Sequence, residues 1–117
     1  MARKHHRYTK KLQFDRNTKK RIRERDERCI FCEMGYFNEC KSDLLLFTTD
    51  IMHFIPKSQM GLGIEENGAL GCRYHHDLLD NGNKGLRKDM LNRFEEYLKR
   101  LYPGWEKDKL TYKKYEF

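Results

Sequence analysis

No run of apolar residues in this 117-residue chain is long enough to cross a bilayer, and no signal-peptide-like apolar stretch opens it. Those two absences point to a soluble, intracellular protein. Internal repeats and low-complexity segments are missing as well, so the chain is neither a solenoid nor a linker. Apolar residues are sparse, at 38% of the chain against 37% charged. A chain of this size and composition supports one small domain with a modest core, which a structural metal would help to hold. Cysteine is limited to Cys29, Cys32, Cys40 and Cys72. In a reducing compartment such a cluster more often binds metal than forms disulfides.

Acidic residues are short in the first 28 positions, which hold 12 Lys/Arg against 4 Asp/Glu, a net of +8. The remaining 89 residues hold 13 and 14, a net of −1, giving the overall +7. A basic arm on a near-neutral body suggests a polyanion partner, with nucleic acid first among them; a solubilising tail is the plain alternative. Residues 1–16 read as a basic, flexible arm and residues 17–117 as a single domain. The His5–His6 pair in the arm is assigned no role.

From about Asn17 to Arg28 the pattern is helical, with Asn17 or Thr18 as N-cap and Ile22 as the only large apolar residue. Its arginines and lysines, Arg21 and Arg25 among them, could line a face for phosphates or be merely solvated. Leu44–Phe47 reads as a short strand. A second strand follows from Asp50 to Ile55, and Pro56 ends it. Period two puts Met52 and Phe54 on one face and Ile51, His53 and Ile55 on the other, with Asp50 opposite His53. A Gly-rich loop leads through Asn67 to a second arm at Ala69–Cys72. A short helix from Arg73 should end at Asn81–Gly82. A longer one covers about 84–102, its stripe Leu86, Met90, Leu91, Phe94, Leu98 and Leu101 reading as core. Pro103–Gly104 stops it, and the aromatic and lysine-rich tail from Trp105 could pack back on the body or touch nucleic acid.

Two pairs carry metal-ligand spacing. CIFC supplies Cys29 and Cys32, and CRYH supplies Cys72 and His75, each with two residues between. Such pairs, separated by a long insert, can close a tetrahedral Zn²⁺ cage. Thiolate and imidazole suit zinc and not magnesium. Cys40 in place of His75 is the alternative fourth ligand. The CxxC could instead be redox-active, but no βαβ pattern surrounds it.

Taken in order, RDERCIFC, MHFIPKSQMG, EENGALGCRYHH and HDLLDNG resemble the HNH endonucleases over about residues 26–85. The resemblance implies an α+β fold: a small ββα-metal (His-Me finger) core with a structural zinc knuckle, flanked by an N-terminal basic helix and a C-terminal helix. It implies metal-dependent hydrolysis of DNA phosphodiester bonds, leaving 5′-phosphate and 3′-hydroxyl ends. His53 matches the general base, Asn67 the middle residue of the trio, and His76 the catalytic metal ligand. Asn67 would pin the loop to the strand bearing His53. Asp80, four residues after His76 on one helix face, is a second ligand for Mg²⁺ or another divalent ion such as Mn²⁺, or else a helix-end residue. Lys57 and Arg73 could hold phosphate or be surface charges. Met52 stands where many members carry an aspartate ligand, so the ion site is either the His76–Asp80 version or impaired.

A cytoplasmic setting in a bacterial or phage-infected cell, and a protein partner or homodimer for double-strand cleavage, follow by the same analogy. The rival readings are a non-catalytic zinc-binding nucleic-acid module with a degenerate site, and a zinc-stabilised protein-interaction domain.

Overall fold

Leu12, Phe14 and Ile22 are the residues that join the basic N-terminal region to the rest of the chain, and all three are buried. The computed structural model describes residues 10–81 and 85–113; the expectations for His5, His6, Gly82, Lys84, Tyr115 and Phe117 lie outside them. The elements are α1 (Arg16–Asp26), α2 (Ile30–Glu33), α3 (Asp43–Phe47), β1 (Thr49–His53), β2 (Gly68–Cys72), α4 (Arg73–Asn81) and α5 (Arg87–Leu101). Short 3-10 turns lie at Lys57–Gln59, Glu65–Asn67 and Lys107–Leu110. The described residues form a small mixed fold of helices around one two-stranded antiparallel sheet. None of these helices is long and apolar enough to cross a membrane.

Helix α1 starts one residue earlier than its pattern suggests. Asp15, not Asn17 or Thr18, is the cap: its Oδ1 accepts from the Thr18 amide at 2.7 Å. Thr18 and Ile22 face inward against β2. The approach is close because Gly68 has no side chain; a Cβ there would stand 2.6 Å from the Phe14 ring. The reading of residues 1–16 as a flexible arm gives way at its end, where residues 10–12 are helical and residues 12 and 14 pack on the body. Leu12 and Phe14 alternate between exposed neighbours, a pattern too short to stand out in a basic stretch.

The hairpin register runs from Thr49↔Cys72 to His53↔Gly68. Met52 is fully buried and Phe54 nearly so, while Ile51, His53 and Ile55 are half-buried, as period two requires. Helix α4 leaves β2 without an intervening loop. Met90, Phe94 and Leu98 of α5 enter the core with Phe31, Met52, Phe54 and Leu79. The tail packs back: Leu110 is buried, and the Trp105 Nε1–H donates to the Glu66 carbonyl.

Leu44–Phe47 is a helix, not a strand. Ser42 caps it, its Oγ accepting from the Leu45 amide, and Asp43 occupies the first turn. Four consecutive apolar residues suggested a buried strand, yet Leu44 is 75% and Phe47 81% exposed. The cap signal outweighs the apolar run.

Candidate functional site

The pairs at Cys29–Cys32 and Cys72–His75 repeat one local geometry. In each, the amide of the last residue donates to the sulfur of the first, at 3.4 Å in both. Cys29 thereby caps α2, and Cys72 sits where β2 turns into α4. The two turns face each other, and the four ligand atoms lie within 4.8 Å of one another. His75 Nδ1 stands 3.6, 3.5 and 3.3 Å from the sulfurs of Cys29, Cys32 and Cys72. The Cys32 and Cys72 sulfurs are 3.8 Å apart. A tetrahedral ion with Zn–S of about 2.3 Å and Zn–N of about 2.05 Å needs S···S of about 3.8 Å and S···N of about 3.6 Å. The observed spacings fit that cage.

The outer nitrogen of His75 fixes its role. Nε2–H donates to the Tyr36 carbonyl at 2.7 Å, which leaves the lone pair on Nδ1, toward the sulfurs. A hydrogen bond from Cys72 holds the Cys29 thiol well below its ordinary range; that same bond pushes Cys72 up, and burial pushes Cys32 up. A dication resolves the conflict by favouring all three thiolates at once. These four residues are positioned to bind a metal and are compatible with a structural zinc. Cys40 is outside the group; its thiol donates to the Ser42 carbonyl at 3.8 Å.

A second constellation lies on the same hairpin and helix. His53, at the end of β1, lines a cavity of about 480 Å³ with Gln13, Phe14, Lys19, Arg23, Asp50 and Lys57. Its Nε2–H donates to the Leu12 carbonyl at 2.8 Å, and the Phe14 ring stacks on it at 4.2 Å. Burial, more than any other influence, lowers its pKa from the ordinary 6.5; the Leu12 bond and Asp80 pull the other way, and Lys57 and His76 reinforce burial.

One residue past the zinc-compatible His75, His76 is turned by about 100° around the helix. Its side chain is 15% exposed, with a carboxylate against each ring nitrogen: Asp50 at Nδ1, 2.5 Å, and Asp80 at Nε2, 2.9 Å. Both carboxylates are about half exposed. Asp50 thus corrects the expectation that it points away from His53. Alternation assigns a face of the ribbon, but β1 has an open edge in a two-stranded sheet, where residues of both faces can meet one cavity. Comparison with protein-family models, with curated proteins and with solved structures finds no match for this chain.

The remaining expected residues divide sharply. Asn67 is fully buried. Its Nδ2 donates to the carbonyls of Ile55 and Leu62, and its Oδ1 accepts from the Ile55 amide, so it pins the loop to the strand end beyond His53. These partners are all backbone groups of the loop and the strand end. Arg73 is held by Asp50 and Asp77, at 3.1 Å each. Arg21 pairs with Glu65 and bonds to Thr18. Arg25 turns inward, to Asp26 and to the carbonyls of Glu65 and Gly68. These three arginines are committed to the protein itself, whereas Lys57 faces the cavity. Two groups around His53 escaped the sequence: a backbone carbonyl, Leu12, which no residue type announces, and Asp50, which alternation had turned away.

Proposed function

We propose that this chain is a metal-dependent nuclease of the ββα-metal type, with a structural zinc at Cys29, Cys32, Cys72 and His75. The observation that carries the reading is His53, with one nitrogen committed to a carbonyl, in a cavity shared with an acid that binds His76. A carbonyl only accepts, so Nε2 carries the proton and neutral His53 has its free lone pair on Nδ1. Burial favours that neutral form. The residue is therefore suited to take a proton from water near neutral pH.

One imidazole and two mobile carboxylates make a donor set that a hard divalent ion such as Mg²⁺ or Mn²⁺ accepts, once one carboxylate swings off the ring. His76 with Asp50 or Asp80 would hold that ion, and the charge it would supply there is stabilisation of the phosphate and the leaving 3′-oxygen. His53 Nδ1 accepts the water proton, the water oxygen bonds to phosphorus, and the bond to the 3′-oxygen breaks. That oxygen is protonated by solvent. Lys57, on the cavity rim, offers a charge to a neighbouring phosphate. DNA is the substrate, and the chemistry needs no membrane and no second protein for a single-strand nick.

One observation favours a second reading, a zinc-binding nucleic-acid module without activity. Met52 fills the position before His53 and is fully buried, so the ion site has no ligand from that strand position. Supercoiled-plasmid nicking by zinc-loaded protein, with added Mg²⁺ or Mn²⁺ or none, separates the two. Nicking should need the added ion and fall about 10²–10⁴-fold in His53→Ala. Its acid limb should lie below pH 6.5, since lowering the His53 pKa keeps the base neutral to lower pH. Salt-sensitive DNA binding with no nicking under any ion would establish the binding module instead.

A further inference from the structure

The cations of α1 fall into two populations. Arg21 is paired to Glu65 of the body and Arg25 to Asp26 at the end of α1, while among the described residues Arg16, Lys19, Lys20 and Arg23 form no ion pair. The four unpaired ones are exposed and recur at intervals of three and four, which places them on one helix face opposite Thr18, Ile22 and Arg25. They line a shallow groove whose only acid is Glu24. Lys19 and Arg23 also line the His53 cavity, which Lys57 borders on the far side. The groove and the cavity are thus one continuous basic track that ends at the imidazole.

We infer that the outer face of α1 is a binding site for the phosphodiester backbone of nucleic acid, which it leads toward His53; the direction of that path rests on the nuclease reading, the binding itself does not. Like charges stacked on one helix face repel and cost stability when nothing neutralises them. Arg16 to Arg23 spans about 10 Å along the helix axis at about 1.5 Å per residue. Laid along the duplex axis, that length covers about three phosphate positions of one strand at about 3.4 Å of axial rise each. The track therefore contacts two or three consecutive phosphates, and Lys57 meets the next one beyond the cavity. An anionic membrane fits less well. The face carries no apolar side chain to insert, because Ile22, the only large apolar residue of α1, is fully buried on the other side.

The test is anisotropy titration of a labelled DNA duplex with zinc-loaded full-length protein, without other added divalent ions, at 50–200 mM salt. Wild type is compared with Lys19→Gln/Arg23→Gln and with Arg21→Gln/Arg28→Gln, which removes the same charge from positions paired to Glu65 and Glu33. The track variant should weaken binding equally for unrelated sequences. Its slope of log affinity against log salt should be shallower by about 2, roughly tenfold less affinity lost across that salt range. The paired-position variant should keep the wild-type slope. Equal slopes in all three proteins, equal losses in both variants, or displacement of the DNA by phosphatidylserine vesicles would each overturn the inference. Plasmid nicking is read on the same samples. No nicking by wild type together with a shallower slope in the track variant sinks the nuclease reading and leaves the track standing. Intact nicking with an unchanged slope does the reverse.

Discussion

His75 and His76 are neighbours on one helix, and the sites around them differ in every physical respect. Around His75 four donors converge, nearly all of them out of solvent, and the outer nitrogen is locked by the Tyr36 carbonyl. Around His76 two carboxylates stand apart on either side of the ring, and both are about half exposed. About 100° of helical rotation separates a closed site from an open one. The closed geometry is compatible with a structural zinc, whereas an ion held at the open one would keep positions for water. The difference also shows why one site was the easier to find. Convergence of thiolates needs two tight turns of fixed spacing, and CIFC and CRYH display that spacing. The open site draws on residues 12, 50, 53, 76 and 80, which no short motif collects.

The sharpest way to break this contrast is to remove the metal. A chelator that extracts zinc should lower the melting temperature by more than about 15 °C or abolish the cooperative transition, since structural zinc contributes on the order of 10 kcal/mol to a small fold. Circular-dichroism melts with and without chelator read this directly; an unchanged melt would mean that the core stands without its cluster. Next in size is His76→Ala. It should leave the melt within about 1 kcal/mol of wild type. Nicking should fall roughly 100-fold or more, because an ion at an open site supplies several kcal/mol to the transition state. A large loss of stability in His76→Ala would erase the distinction between the neighbours. The smallest effect belongs to Cys40→Ser. With the thiol outside the cluster, stability should move by less than about 0.5 kcal/mol, and mass spectrometry under native conditions should still find one zinc per chain.

What the sequence made legible follows from how local each feature is. The alternation of Met52 and Phe54 against Ile51 and His53 read correctly because strand period is a property of consecutive residues. The helical stripe read correctly at Met90, Phe94 and Leu98, which are buried, and not at Leu101, which is exposed at the last turn. Leu44–Phe47 did not, because its apolar run outweighed the Ser42 and Asp43 signals just before it. Arg21 and Arg25 drew attention as abundant cations, yet Thr18 and Ile22 already mark the inward face of α1, and Arg25 lies on it. A helical wheel centred on Ile22 would have turned attention to Arg16, Lys19, Lys20 and Arg23. The Leu12 carbonyl was beyond any such projection, since its partner lies 41 residues away.

One glycine governs that distant bond. The Gly63 amide donates to the Lys11 carbonyl at 2.8 Å, and a Cβ on residue 63 would sit 2.1 Å from the Gln13 carbonyl oxygen. A single methyl group there is therefore a wedge. It would prise residues 11–14 off the loop, and the Leu12 carbonyl would leave the His53 ring with them. The tautomer of a cavity histidine is in this way set by an empty space on a loop ten residues downstream. Variation that spares every ligand, every cation and the imidazole itself can still take away the acceptor that fixes the proton on Nε2.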